Sequence, residues 1–140
     1  MMQINQRFVA GLGAGCVAAI AFALVATLIA RILWPEYAAA EPEKTYTVAM
    51  LWTRLAIGAL CMAAAACVTT IIARDKGRAA WWLGGFFLAV SLPDHFYHIG
   101  YVWADYPAWY HFIYLSYLAP IAGLTGRFVY GRSGHGMNRH

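Results

Sequence analysis

The residues best equipped for chemistry in this chain are concentrated in one short stretch, Ser91-Leu92-Pro93-Asp94-His95-Phe96-Tyr97-His98-Ile99-Gly100-Tyr101. Asp94, His98, Tyr101 and Asp105 follow one another at spacings of four, three and four, which is the period of one helical stripe. His95 lies one step round that helix, within i,i+3 reach of His98. Pro93 precedes them, where it removes a backbone donor and tends to kink a helix. Three further ionisable residues, Arg31, Arg54 and His111, are embedded in otherwise apolar runs.

Three chemistries fit this set. A metal site can be drawn from Asp94, His95, His98 and His111, since imidazole with carboxylate suits zinc or non-haem iron. The DHxxH spacing, however, matches no specific metal signature. A haem b can be drawn between His98 and His111 if they lie on neighbouring helices. The third chemistry is non-covalent. Tyr97, Tyr101, Trp109 and Tyr114 supply aromatic walls, while Arg31 and Arg54 supply donors for an anionic headgroup or a quinone carbonyl. A purely structural reading stands beside all three, with Arg54–Asp94 as an ion pair between helices and the aromatics as an interfacial belt. No catalytic residue is assigned.

The elements that must position these residues are set by an oily composition. Of 140 residues, 62% are hydrophobic and only 11% charged, against about 45–50% and about 25% in ordinary soluble domains. A soluble chain of this length leaves too much surface in water to hide so much apolar material. Four apolar runs are each long enough for a bilayer core that needs about 20 helical residues. They extend over Phe8–Trp34, Val48–Ala73, Ala79–Trp103 and Pro107–Tyr130. Backbone groups in lipid must bond within their own segment, so the runs predict helices. Short connections make neighbours antiparallel.

The expectation is therefore an all-α membrane protein, an antiparallel four-helix transmembrane bundle over residues 1–131 with a flexible tail over 132–140. Arg7, Arg74, Lys76, Arg78, Arg127, Arg132 and Arg139 fall on one side, seven of the ten basic residues. Positive-inside reasoning puts that side, with both termini, in the cytoplasm, and in the inner membrane if the source is bacterial. Trp34, Trp52, Trp103, Tyr106 and Trp109 gather at the opposite boundary as an aromatic belt. Gly11/Gly15, Ala63–Ala66 and Gly84-Gly85 give three of the helices thin faces for close approach.

With these spans, depth adds meaning to the polar residues. At 1.5 Å per residue, Asp94 lies roughly 13 Å and His98 roughly 7 Å inside an outer end near Trp103. Arg54 lies about 9 Å inside its own helix start, and His111 and Arg31 lie about 4–6 Å inside theirs. Charges at such depth are costly and are expected to face inward and find partners.

Several classes are excluded by what the chain lacks. Cys16, Cys61 and Cys67 sit in apolar runs without a CxxC pair, against a disulfide framework or a thiolate zinc site. No basic-and-aromatic pattern supports a nucleic-acid partner despite the net charge of +4. No GxSxG elbow, P-loop or dinucleotide fingerprint occurs. The N-terminal apolar run exceeds the about 7–15 residues of a cleaved signal. The function expected is a membrane subunit that binds a lipid-soluble ligand, a membrane-protein partner or a further copy of itself. The alternative is a metal- or haem-dependent enzyme or redox subunit.

Overall fold

The structure is a computed structural model that describes residues 6–96 and 105–135, with the side chains of Asp94, Phe96 and His135 outside the description. Every regular element among those residues is an α-helix: α1 (Gln6–Leu33), α2 (Pro35–Glu43), α3 (Val48–Ala73), α4 (Arg78–Phe96) and α5 (Ala108–His135). α1, α3 and α5 are long and apolar enough to cross a membrane. These three spans point to an integral membrane protein.

Burial supports the same reading from the inside out. The most apolar stretch of α1 is only 6% buried within the protein. Val17, Leu24, Leu28 and Ile32 of α1, Leu60 and Ile71 of α3, and Phe112, Leu124 and Phe128 of α5 all look outward. The fully buried core consists mainly of small residues, Ala65, Ala66, Ala79, Ala80 and Ala122 with Thr69. A soluble bundle places its large side chains inside. This one uses small residues to bring backbones together, the economy of helices whose solvent is hydrocarbon.

The glycines show how tight the seams are. A Cβ on Gly11 would meet Ala73 Cβ and Thr69 O at 2.9 Å, and one on Gly15 would overlap Thr69 Oγ1. On the other seam, a Cβ on Gly84 would come within 2.7 Å of Ala119 Cα, and the Trp81 ring lies directly on Gly123. Gly13 and Gly85, by contrast, have open space where a side chain would be. Thr69 returns its buried hydroxyl to Ala65 O at 2.9 Å, so the α1–α3 seam carries no orphaned donor there. α1 packs chiefly on α3, and α5 on both α3 and α4.

Local signals set the helix ends. Thr47 caps α3 by accepting from Met50 N at 3.3 Å, and Asp75 Oδ2 accepts from Ala79 N at 2.7 Å at the start of α4. The α3–α4 turn passes through Arg74 and Lys76 at positive φ and Gly77 at φ +80°. There a Cβ would meet Gly126 C at 2.7 Å, so Gly77 is required twice over, by its torsion and by the approach of α5.

Helix extends beyond the apolar runs at two places. Residues after Trp34, which lie between the first two runs, make the helix α2, with Pro35 in its first turn and Lys44 closing it at φ 54°. At the C-terminal end α5 runs on to His135, and Ser133 Oγ donates back to Val129 O at 3.1 Å. Residues 136–140 lie outside the described residues, as does the part of the third predicted run beyond Phe96.

Candidate functional site

The site is built around Arg54, two turns into α3. Its Nη1 donates to Tyr37 Oη at 3.0 Å and to Tyr46 Oη at 2.9 Å. Tyr37 comes from α2, where it is 2% exposed, and Tyr46 from the segment entering α3. The α2 helix thus folds back on the start of α3 and presents its tyrosine to the arginine. Glu41 Oε1, also on α2, stands 3.9 Å from Arg54 Nη1. The same carboxylate takes a 2.6 Å hydrogen bond from Arg31 Nε. One carboxylate therefore serves two guanidinium groups, and the nearer of them is Arg31.

Aromatic rings complete the arginine's surroundings. The Arg54 Cζ lies 4.8 Å from the Tyr46 ring centroid and 5.9 Å from that of Tyr106, within cation–π range. Arg54 Nε is buried and has no hydrogen-bond partner among the described residues. Burial pushes the Tyr46 phenol up to about 12, with the nearby Arg54 charge opposing the rise, so the hydroxyl stays neutral. Arg31 holds the Glu41 carboxyl below its ordinary range, chiefly through their hydrogen bond. Lys44 pairs with Asp105 and fastens the end of α2 to the segment leading into α5. That contact raises the Lys44 ammonium above its usual value.

Arg54 forms one wall of a cavity of about 210 Å³ whose other walls are His95 of α4, Tyr106, and Tyr110, His111 and Tyr114 of α5. His95 and His111 meet edge to face with ring centroids 5.0 Å apart, and His95 stacks on Tyr114 at 5.3 Å. Tyr46, Tyr106 and Tyr110 continue the stack outward at 5.8 and 5.0 Å. His95 Nδ1 is 2.8 Å from Ser91 O. A carbonyl only accepts, so that nitrogen carries the proton and Nε2 is the basic nitrogen of the neutral ring. His111 is 1% exposed, wedged against Tyr106 and Tyr110.

Of the residues singled out by sequence, the structure brings Arg54, His95, His111 and Tyr114 together around this cavity. Arg31 is bonded to Glu41 and is not among the cavity walls. Trp109 stacks on Trp52 at 5.4 Å and is not a cavity wall. Tyr97, His98 and Tyr101 lie outside the described residues, as does the Asp94 side chain, so the Arg54–Asp94 pair and the His98–His111 haem pairing fall there too. Among the described residues, no three His, Cys, Asp or Glu side chains converge to hold a metal.

Tyr37, Tyr46 and Glu41 are the functional neighbours that sequence reasoning missed. No spacing rule connects them to Arg54, because the link is made by docking α2 across the bundle. The signal on offer was an alanine-rich segment with Pro35 and Glu36 at its start, a good short helix. No protein family, curated protein or solved structure was found to match this chain.

Proposed function

We propose that this chain is an antiparallel four-helix transmembrane protein with both termini in the cytoplasm, which binds a lipid-soluble ligand in the cavity beside Arg54. In a bacterium it would sit in the inner membrane and act as a ligand-binding subunit. Reading α4 as the fourth span is supported by its length, about 28 Å at 1.5 Å per residue, and by the exposed Trp82, Phe86 and Val90 on its surface. Alternating direction is supported by contacts at both ends. Gly11 lies by Ala73 and Gly77 by Gly126 at one end, while Lys44 meets Asp105 at the other.

One observation carries the ligand reading. A guanidinium is held at the wall of an aromatic cavity by two tyrosine hydroxyls, with its Nε still lacking an acceptor among the described residues. Such a site offers a fixed positive donor and flat rings. It suits a compact ring or headgroup that brings an oxygen acceptor, a quinone carbonyl or an anionic oxygen, with its tail left in lipid. The test is a titration of the full chain in mild detergent with a short-chain benzoquinone, read by tryptophan fluorescence. Saturable quenching weakened about tenfold or more by Arg54→Gln, and also by Tyr106→Leu, is the expected result. Linear, unsaturated quenching identical in all three proteins would remove the quinone reading.

A second reading, a metal or redox centre, is favoured by the contact of His95 with His111. It needs further ligands beyond these two. Metal content separates it from the first reading.

A further inference from the structure

At the opposite end of the molecule, and independently of the Arg54 cavity, α4 and α5 each carry a hollow, and the two are linked through Trp81. Its apolar part is a groove of about 460 Å³ on α4, lined by Trp81, Trp82, Gly85, Phe86 and Ala89. Gly85 forms the floor, since a Cβ there would meet nothing within 4 Å. Its polar part is a hollow of about 390 Å³ on α5, between Arg127, Phe128, Gly131 and Arg132. Trp81 joins the two: its ring lies on Gly123 of α5, and the Arg127 Cζ stands 5.8 Å from that ring. Arg132 lies over Phe128 at 4.6 Å. Both guanidinium groups are thus held by aromatic faces, and among the described residues neither is paired with a carboxylate.

We infer that this surface binds one anionic phospholipid, with the phosphodiester between Arg127 and Arg132 and an acyl chain in the groove over Gly85. Charge complementarity selects the occupant. A purely apolar partner helix would fill the groove but leave the two arginines without a counter-charge, whereas an anionic lipid supplies both parts in one molecule. Arginine forks suit phosphate oxygens, and aromatic contact pre-orients them. Basic pockets at the cytoplasmic ends of transmembrane helices are a general means of holding anionic headgroups. Arg127 and Arg132 lie on the same side of the molecule as Arg74 and Arg78, because Gly126 touches Thr70, Gly77 and Ala80.

The test is native mass spectrometry of the full chain in detergent, titrated with dioleoyl phosphatidylglycerol and, separately, dioleoyl phosphatidylcholine. A single saturable phosphatidylglycerol adduct is expected, with phosphatidylcholine about tenfold weaker or more. Arg127→Gln and Arg132→Gln should each weaken the adduct about fivefold, and together about twenty-five-fold, with lysine at both positions restoring part of it. Gly85→Leu fills the groove without touching charge and should also weaken binding. Arg74→Gln, equally basic but outside the groove, should leave it unchanged. Equal retention of both lipids would overturn the inference. So would equal weakening by Arg74→Gln, which would show diffuse attraction, or displacement by glycerol phosphate alone at similar concentration, which would show a phosphate site. Arg132 is exposed at the end of α5, so Arg132→Gln keeps the test informative even if Arg127→Gln disturbs Trp81 packing.

Discussion

The coupling between Arg54 and the two tyrosines can be measured directly. Nη1 has two protons, and Tyr37 and Tyr46 accept from it at 3.0 and 2.9 Å. A hydrogen bond to a charged group contributes about 1.5–3 kcal/mol in soluble proteins. Side-chain hydrogen bonds inside membrane proteins average lower, about 0.6 kcal/mol with a maximum near 1.7. Both bonds are partly buried, so a coupling of about 1–1.5 kcal/mol per tyrosine is expected. Tyr→Phe keeps the ring, and hence the packing of Tyr37 between Trp34 and Tyr46. The assay is reversible unfolding in mixed dodecylmaltoside and dodecyl sulfate micelles, run as a double-mutant cycle with Arg54→Met. Tyr37→Phe and Tyr46→Phe should each cost about 1–1.5 kcal/mol with Arg54 present and close to nothing in the R54M background. Equal cost in both backgrounds would refute the hydrogen bonds as the basis for placing α2.

Other consequences can be checked in the same preparations. Gly15→Val should destabilise the bundle by about 3 kcal/mol or more, since even its Cβ overlaps Thr69 Oγ1, while Gly13→Ala, facing open space, should be neutral within about 0.5 kcal/mol. The Glu41 carboxyl is depressed by Arg31. Its contribution is therefore fully present above the unfolded carboxylate value of about 4.3 and is lost as pH falls through the lower folded value. Unfolding midpoints followed downward from pH 6 should show an acid-side loss that Glu41→Gln abolishes; an unchanged profile in that variant would assign the loss to other groups. A reporter fused after His140 should read as cytoplasmic, and a periplasmic signal would overturn the proposed topology.

The helical, membrane-compatible character of the chain was legible because so apolar a composition leaves few alternatives. Val48–Ala73 is read with the same boundaries from hydropathy and from the structure. Gly11, Gly15 and Gly84 announce the close contacts they make, since small residues at helical spacing have few other uses in an apolar span. The cavity was partly legible. Arg54, His95, His111 and Tyr114 are conspicuous because polar groups at depth need partners. The identity of those partners was not. Asp94, the only acid within the four apolar runs, was the natural choice for Arg54. Among the described residues the arginine instead bonds Tyr37 and Tyr46 and lies near Glu41. These come from a stretch of near-zero mean hydropathy whose short helix has no strong period, so its docking over the bundle is a tertiary choice without a local signature. Arg31 illustrates the same limit: its position in the first run does not announce its partner, Glu41 of α2.

The central claim is that the outer cavity holds a lipid-soluble ligand through Arg54. It is tested most directly by purifying the untagged chain from its native membrane in mild detergent. The organic extract would be analysed by mass spectrometry and the same sample assayed for metal. The account predicts one carbonyl- or anion-bearing ring compound retained near stoichiometrically, lost in Arg54→Met and kept in Arg132→Gln. An empty extract together with metal near one per chain, lost on His111→Ala, would contradict it and transfer the cavity to the histidine pair.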